Sequence, residues 1–334
     1  FSRVAAVAVP DFSVDASGVP LPLAADRVSQ VLLAPEILGS QGFGSLSIYN
    51  PEGDIVVPED IELVSIPRGS VTLSAANIAI EGSLVASGGS LTFNAYNLPP
   101  NGPVSPTELP PPNIGRGRFF LGSGAFLSTA GAIVDDRPGS SPQTTDVTGG
   151  GSISIRSFSA DLAAGSIIDV SGGVYVDGGG GTAYGNAGGI SILTGRDLTL
   201  QSVTGGEFRL GSTLKGFSGA KGGSLTIGTL AVQIGGDTAA DGTFHLQSPF
   251  FGQGGFTSFN ISGVGRPDVP ALLVKSGTVI APSVQSWQLR GLGSDRPLTL
   301  AGMVRPEGLR SPVSLSFTVS GLRSDIGGLL LVRG

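Results

Sequence analysis

The residues best able to do chemistry are few and widely separated in this sequence. The chain has one histidine, His245, and no cysteine. A Ser-His-Asp hydrolase needs a histidine base held by partners, and a zinc site needs three or four protein ligands. His245 alternates with Phe244 and Leu246, a pattern typical of the polar face of a strand. The sequence therefore predicts no catalytic residue, no metal ligand and no cofactor.

Paired carboxylates are the second candidate, because glycosidases and polysaccharide lyases use them. Asp135 and Asp136 are adjacent and are followed by Arg137 and Pro138, which is typical of a solvated turn. Adjacent strand residues point to opposite faces, so this pair makes a poor acid/base couple. A glycan-active enzyme remains the alternative hypothesis, and it requires two or more carboxylates and an Arg or Lys converging on one groove. The carboxylates whose placement tests it are Asp135, Asp169, Asp177 and Asp241.

Aromatic rings are the third candidate, because exposed rings can bind carbohydrate by stacking. Tyr175 and Tyr184 flank a glycine-rich run and are predicted to form a recognition surface. Trp287 lies on an alternating segment and is expected to be buried. The glycine-rich run has only Asp177 as an acidic residue and no G-K-[ST] ending, so it predicts an outward loop rather than a calcium or phosphate site.

The composition limits the classes of partner. The 334 residues carry a formal net charge of -6, and charged residues make up 13% of the chain. An acidic surface does not attract nucleic acid or anionic membranes. No apolar run approaches the roughly 18 residues of a membrane helix, which predicts no membrane insertion. The chain begins at Phe1 rather than Met, so we expect it to be part of a longer protein.

The elements that must position these side chains are short strands. The unit S-[LIV]-[ST]-[LIF] alternates with the period of a strand and follows Gly-Gly three times, at 90–93, 152–155 and 224–227. A second unit precedes each copy across a gap of variable length. Strand units that persist while loops vary predict a solenoid, because each coil lies on the previous one. The second units are IEGSLV (80–85), TAGAIV (129–134), AAGSII (163–168), RLGSTL (209–214) and LAGMV (300–304).

One longer phrase occurs twice, as QGFGSLSI at 41–48 and QGGFTSFNI at 253–261. The alignment that starts there pairs Ser45 with Ser258 and Ile48 with Ile261. It then pairs Val57 with Val274 and three further segments, which predicts a duplicated block of about fifty residues whose two copies occupy equivalent coils. The further pairs are 70–73 with 286–289, Ile80 and Gly82 with Leu300 and Gly302, and 90–93 with 314–317.

We therefore predict an all-β chain folded as a parallel β-helix with extended loops. At about 25 residues per coil and about 4.8 Å per stacked strand, it would have about a dozen coils and extend roughly 60 Å. Residues 1–40 are predicted to be a lead-in or cap with one helical turn near 35–38, and residues 41–334 the rod. The Pro-rich segment 98–113 is expected to lie outside the ladder. The Gly-rich segment 174–188 is expected to be an outward loop.

Several phrases resemble the filamentous haemagglutinin family, the large exoproteins of two-partner secretion in Gram-negative bacteria. They are GSLVASGGSLTF, GSIIDVSGG followed by NAGGISILTG, and GGFTSFNI followed by LLVKSGTVIAP. Together they touch most of the chain from about residue 37. The resemblance implies a right-handed parallel β-helix that is exported through an outer-membrane transporter and acts as an adhesin or surface filament. The motifs of the family's N-terminal secretion domain are absent, which makes an internal or C-terminal segment the expectation.

The expected function is therefore structural and adhesive, not enzymatic: a secreted, extracellular rod at the cell surface. Open solenoid ends expose unpaired strand edges, so end-to-end or lateral self-association is expected. A surface glycan, or a receptor on a host or neighbouring cell, is the expected ligand. A passive stalk with recognition located elsewhere is a further hypothesis. We expect any binding site to lie in the variable loops 98–113 and 174–188.

Overall fold

The protein is all-β, and its sheets are mostly parallel. A computed structural model describes residues 16–19, 31, 33–39, 43–102, 109–137, 147–265, 269–290, 299–319 and 330–332. Within these ranges, no helix is long and apolar enough to cross a membrane. Two short 3-10 helices occur, at Pro35–Ile37 and Ser248–Gly252.

The strands are short and follow one another with few interruptions. They are β1 (Ser45–Val57), β2 (Glu62–Val64), β3 (Ser70–Ile80), β4 (Ser83–Val85), β5 (Ser90–Ala95), β6 (Arg118–Leu121), β7 (Phe126–Ser128), β8 (Ile133–Asp135), β9 (Ser152–Ser157), β10 (Ser159–Leu162), β11 (Ile167–Asp169), β12 (Val174–Val176), β13 (Thr182–Tyr184), β14 (Gly189–Leu193), β15 (Phe208–Leu210), β16 (Thr213–Lys215), β17 (Ser224–Thr229), β18 (Val232–Ile234), β19 (Phe244–Leu246), β20 (Ser258–Gly263), β21 (Leu272–Val274), β22 (Gln285–Arg290), β23 (Thr299–Val304), β24 (Ser314–Val319) and β25 (Leu330–Val332).

Eight parallel segments stack in chain order and form sheet A: residues 45–50 of β1, residues 70–75 of β3, β5, β9, β14, β17, β20 and β24. Their register is constant, so equivalent residues lie in rows across the sheet. The first row contains Ser45, Ser70, Ser90, Ser152, Gly189, Ser224, Ser258 and Ser314.

Alternation places the apolar residues of sheet A on one face. The second row includes Leu91, Ile153 and Leu225, and the fourth includes Phe93 and Ile155, all of them buried. These side chains belong to one continuous core cluster. Burying each of them contributes roughly 1.5–3 kcal/mol to stability. Serine, threonine and asparagine occupy most of the outward positions, and some of them bond along a row, as Asn94 does to Ser74 at 3.1 Å.

After sheet A the chain passes through two further parallel sheets before it returns. Sheet B contains residues 54–57 of β1, residues 77–80 of β3, β6, β10 and β15. Sheet C contains β2, β4, β7, β11 and β16. The order A, B, C is repeated five times, which is compatible with a β-helix. Beyond β17, a four-stranded sheet D contains β18, β19, β21 and β25.

The prediction that the twice-written phrase marks equivalent positions is confirmed. Ser45 and Ser258 lie in one row of sheet A, and Ile48 and Ile261 lie in another. The pairing of 90–93 with 314–317 is also confirmed. Among the described residues, sheet A has eight strands, fewer than the expected dozen coils, because long connections separate successive passes.

Part of the proposed repeat is wrong. Residues 286–289 and 300–304 do not join the parallel sheets but form the antiparallel hairpin β22–β23. The unit TAGAIV leads into β8, which pairs with β12 outside sheet C, and the third strand of sheet C is β7. Alternation reports only that one face of a strand is buried, so it does not identify the pairing partner.

The expectation of an outward loop at 174–188 is also wrong. Residues Val174–Val176 and Thr182–Tyr184 form the antiparallel hairpin β12–β13. Asp177 closes its turn, because Oδ1 accepts hydrogen bonds from the backbone N–H groups of Gly179 and Gly181 at 2.8 and 2.7 Å. Short alternating segments on both sides of a glycine turn favour a hairpin over a loop.

The two remaining segments agree with expectation where they are described. Residues 98–102 and 109–113 of the Pro-rich segment contain no strand. A helical turn occurs at Pro35–Ile37, and Gly39 ends it with a φ of 67°. Leu38 packs into the core cluster. Residues 1–15, 20–30, 32 and 40 lie outside the described residues, so the cap at 1–40 stays a prediction.

Candidate functional site

A groove with a volume of about 730 Å³ runs across the outer face of sheet B. Alternation along the strands buries one set of side chains and presents the other set to the groove. Two outward rows form the floor. The first contains Asp54, Asn77, Arg118 and Ser159, and the second contains Val56, Ala79, Phe120, Asp161 and Arg209.

One wall of the groove is the end of the Pro-rich segment, and Asn97 holds it in place. The buried Asn97 side chain donates from Nδ2 to the carbonyl oxygens of Asn113 and Arg116, at 2.6 and 2.9 Å. Its Oδ1 accepts from the backbone N–H of Asn113 at 2.9 Å. Asn97 therefore holds the start of the Pro-rich segment against its end at Asn113 and Arg116. Ile114, at 97% exposure, stands at the edge of the groove.

Asp197 also holds the start of the Pro-rich segment, at Asn97 and Leu98. It is 1% exposed, and its carboxylate accepts four backbone hydrogen bonds. Oδ2 accepts from Asn97 and Leu98 at 3.1 and 2.9 Å. Oδ1 accepts from Thr199 and Leu200 at 2.9 and 2.7 Å. Charge-assisted bonds of this kind are stronger than neutral ones, so the groove is positioned before any ligand binds.

The carboxylates of the groove are bonded to neighbouring side chains. Asp54 Oδ1 accepts from Asn77 Nδ2 at 2.9 Å. Arg209 lies 2.8 Å from Glu207 and 3.9 Å from Asp161. By contrast, the guanidinium of Arg118 makes no hydrogen bond or ion pair within the described part of the chain. Phe120, two residues further along the same strand, is 38% exposed.

The four carboxylates named for the enzyme hypothesis do not converge. Asp135 accepts hydrogen bonds from Arg137. Asp169 accepts one from the Ser171 backbone, Asp177 closes the hairpin turn, and Asp241 lies on an exposed loop. None of the four lines the groove.

A different set of carboxylates does converge there, and the sequence reasoning missed it. The sequence carries a signal for the strands but not for the groove. In each of the five passes of sheet B, a packet of four residues has a polar residue at its first position and apolar residues at its second and fourth. The packets are DIVV (54–57), NIAI (77–80), RFFL (118–121), SADL (159–162) and EFRL (207–210).

The two tyrosines lie away from the groove, on the hairpin β12–β13. Tyr184 pairs across the hairpin with the buried Val174, whereas Tyr175 is adjacent to Val174 on the same strand. The two rings therefore point to opposite faces of the hairpin. Tyr184 packs in a second apolar cluster with Trp287, and its hydroxyl accepts a hydrogen bond from the Leu289 backbone at 3.3 Å. A recognition role for either tyrosine stays a prediction.

Trp287 is only half-buried. It stacks on Phe217, with ring centroids 6.0 Å apart and an interplanar angle of 9°. The hairpin β22–β23 thus packs beside the hairpin β12–β13.

His245 lines a second cavity, of about 570 Å³, between β15, β16 and β19. Its Nε2 lies 3.1 Å from the Gly235 carbonyl oxygen.

Tyr175 gives a testable electrostatic signal. Burial raises the pKa of its phenol, and the negative charge of Asp136, whose Oδ2 lies 3.3 Å from the hydroxyl, raises the pKa further. The native state therefore retains this proton more strongly than the unfolded chain. The stabilisation is fully present below the ordinary tyrosine pKa of about 10 and is lost as the pH rises above it.

Subtracting the ultraviolet titration of Tyr175→Phe from that of the wild type isolates the titration of the Tyr175 phenol. We expect its midpoint to lie above about pH 10. Asp136→Asn should lower that midpoint, and Asp60→Asn, at an exposed turn, should leave it unchanged. A midpoint that does not respond to Asp136→Asn would contradict the electrostatic cause.

Among the described residues, no three His, Asp or Glu side chains are arranged to hold a metal ion. No protein-family model, curated protein or solved structure matches the chain.

Proposed function

We propose that the chain is a segment of a right-handed parallel β-helix that acts as a structural and adhesive rod. The observation that carries the proposal is the constant register of eight parallel strands in sheet A. At about 4.8 Å per strand, this stack extends about 34 Å. The right hand is supported by the strong preference of parallel crossover connections for that hand.

The proposed setting is the outside of a Gram-negative cell, as a part of a filamentous haemagglutinin-like exoprotein exported through an outer-membrane transporter. The support is the combination of the family-like phrases with a repeated parallel strand architecture. In a stack of this kind, different residues provide stability and binding. The interior rows stabilise the rod, and the outward rows are free to vary and can form a binding surface.

Self-association of the rod is part of this proposal. Among the described strands, β1 pairs only with β3, and β24 pairs only with β20. Leu315 belongs to an inward row, yet it is 39% exposed at the end of the stack. An unpaired edge next to apolar side chains favours the addition of another chain.

Small-angle X-ray scattering on the purified chain should show an elongated particle that grows in length with concentration. Leu315→Lys should prevent the growth, because it places a charge at the end of the stack. Leu193→Lys is the matched control, since Leu193 has the same exposure of 39% but points outward in the middle of sheet A. A compact particle would refute the rod, and a length independent of concentration would refute the self-association.

A glycan-cleaving enzyme is the second candidate, because Asp54, Asp161 and Glu207 share a groove with Arg118 and Arg209. Asp161 and Glu207 both contact Arg209, and Asp54 accepts a hydrogen bond from Asn77, so each groove carboxylate is already engaged by a neighbouring side chain. Binding without cleavage is therefore the better-supported role for this groove.

A further inference from the structure

The groove on sheet B differs chemically from the outer face of sheet A. Sheet A presents mainly Ser, Thr and Asn outward, as at Ser154, Thr92 and Asn94. The groove presents an exposed aromatic ring, three arginines and carboxylates in a volume large enough for several sugar rings. Its floor is a hydrogen-bonded sheet, and Asn97 fixes its wall, so the site is rigid.

The floor offers an accessible aromatic surface. Phe120 lies between the small Ala79 and Asp161 in its row, and it is 38% exposed. Val56 continues the apolar strip beyond Ala79. A sugar ring carries an apolar C–H face that can pack on an exposed aromatic ring, as other apolar groups do.

Polar groups border this strip along one side and at one end. Asn77 and Asp54 lie along the first row, and Asp161 and Arg209 lie at one end of the second. The set contains donors and acceptors side by side. Sugar hydroxyls both donate and accept hydrogen bonds, so they match such a mixture better than a purely anionic or purely apolar ligand does.

Arg118 indicates that the ligand carries a negative charge. Its exposed guanidinium lies in the first row, beside the strip, and is the groove arginine without an acidic partner within the described ranges. Arg209 is paired with Glu207, and Arg116 is paired with Glu52 at 2.9 Å. A free guanidinium binds a carboxylate with two parallel hydrogen bonds.

From this geometry we infer that the groove binds an oligosaccharide whose sugars carry carboxylates. A sugar ring lies over Phe120, and its carboxylate pairs with Arg118. The inference rests on the adhesive part of the function proposed above, to which it adds a class of ligand. A peptide cannot join the sheet here as an extra strand, because β6 and β10 are already paired on both sides.

The test uses isothermal titration calorimetry of the purified chain with tetragalacturonate, tetramannuronate and methyl-esterified tetragalacturonate. At least one of the two acids should bind, and esterification should weaken the binding of tetragalacturonate about tenfold or more, since an ester carries no charge and cannot form the bidentate ion pair with Arg118. If neither acid binds, or if the ester binds as tightly as the acid, the inference is overturned.

Two variants locate the site. Arg118→Gln and Phe120→Ala should each weaken the binding of the acid about tenfold. Arg290→Gln, at an exposed arginine on the distant hairpin β22–β23, should bind as the wild type does. Wild-type affinity in both groove variants would overturn the inference. Thermal unfolding of each variant verifies that the fold is retained.

The same samples separate this inference from the proposed function. Scattering reports the rod and its growth, and neither measurement depends on a glycan. An elongated particle that binds no oligouronate would overturn the inferred ligand and leave the proposed rod intact. Release of shortened oligosaccharides during the titration would confirm the ligand class and overturn the non-enzymatic role.

Discussion

Gly151→Ala is expected to lower the free energy of unfolding by about 3 kcal/mol or more, because the added methyl group meets backbone that cannot move away. Gly151 precedes β9, and its carbonyl oxygen accepts a hydrogen bond from Gly189 at 3.1 Å. A Cβ at Gly151 would overlap the carbonyl oxygen of Gly89 in the preceding pass. That carbonyl is itself bonded to Ser152 at 3.0 Å, so a shift would also break the ladder of sheet A.

The effect follows from a column of glycines along the stack. The row before the first residue of sheet A contains glycine in six successive passes, where each would carry its Cβ into the carbonyl group, or another atom, of a neighbouring pass. Glycine is required there by close approach rather than by a left-handed φ, which Gly151 does not have. The members of the column are Gly44, Gly69, Gly89, Gly151, Gly188 and Gly223.

Chemical denaturation of Gly151→Ala beside Gly178→Ala measures this effect. Gly178 is exposed in the hairpin turn, has no positive φ, and its nearest neighbour to an added Cβ is the Asp136 carbonyl oxygen at 3.5 Å. We expect the control to change stability by less than about 0.5 kcal/mol. Equal effects in the two variants would show that the close stacking of passes is not what requires glycine.

Asp197→Ala is expected to lower the free energy of unfolding by about 4 kcal/mol, since four backbone N–H groups lose a charged acceptor in a buried site. The donors belong to two separate segments, 97–98 and 199–200. Loss of the carboxylate therefore releases the base of the Pro-rich loop from the turn beneath it. Because Asn97 also holds the groove wall, hydrogen exchange should accelerate at Asn113 and Gly115.

Asp197→Asn is the matched comparison. Its amide keeps one acceptor oxygen, so two of the four hydrogen bonds remain and the loss should be about half as large. Asp60→Asn, at an exposed turn, controls for the change of charge and should be near neutral. If Asp197→Ala were no more destabilising than Asp60→Asn, the carboxylate would not be the anchor of this loop.

Much of sheet A could be predicted from the sequence. Serine followed by alternating apolar residues identifies the strands, and the preceding Gly-Gly marks the point where passes approach closely. The repeat signal failed at 286–289 and 300–304, where the same alternation forms a hairpin. It failed also at 174–188, where a glycine run hid two short strands.

The candidate site was predicted less well than the fold. The site was expected in the variable loops 98–113 and 174–188. The groove instead lies on sheet B, and of the first loop only residues 112 and 113 line it, followed by residues 114–116. Asp54, Phe120 and Asp161 are far apart in the chain. Nothing local distinguishes them from other outward strand residues.

The sequence by itself determined the strand alternation, the glycine corners and the equivalence of Ser45 with Ser258, because each depends on contacts that repeat at every pass. Only the tertiary structure decided which strands stack as sheet B, and hence that Arg118 and Phe120 stand beside Asn77 and Asp161. Register between passes is set by the lengths of intervening loops and by packing of the shared core, and those are properties of the whole stack rather than of any segment.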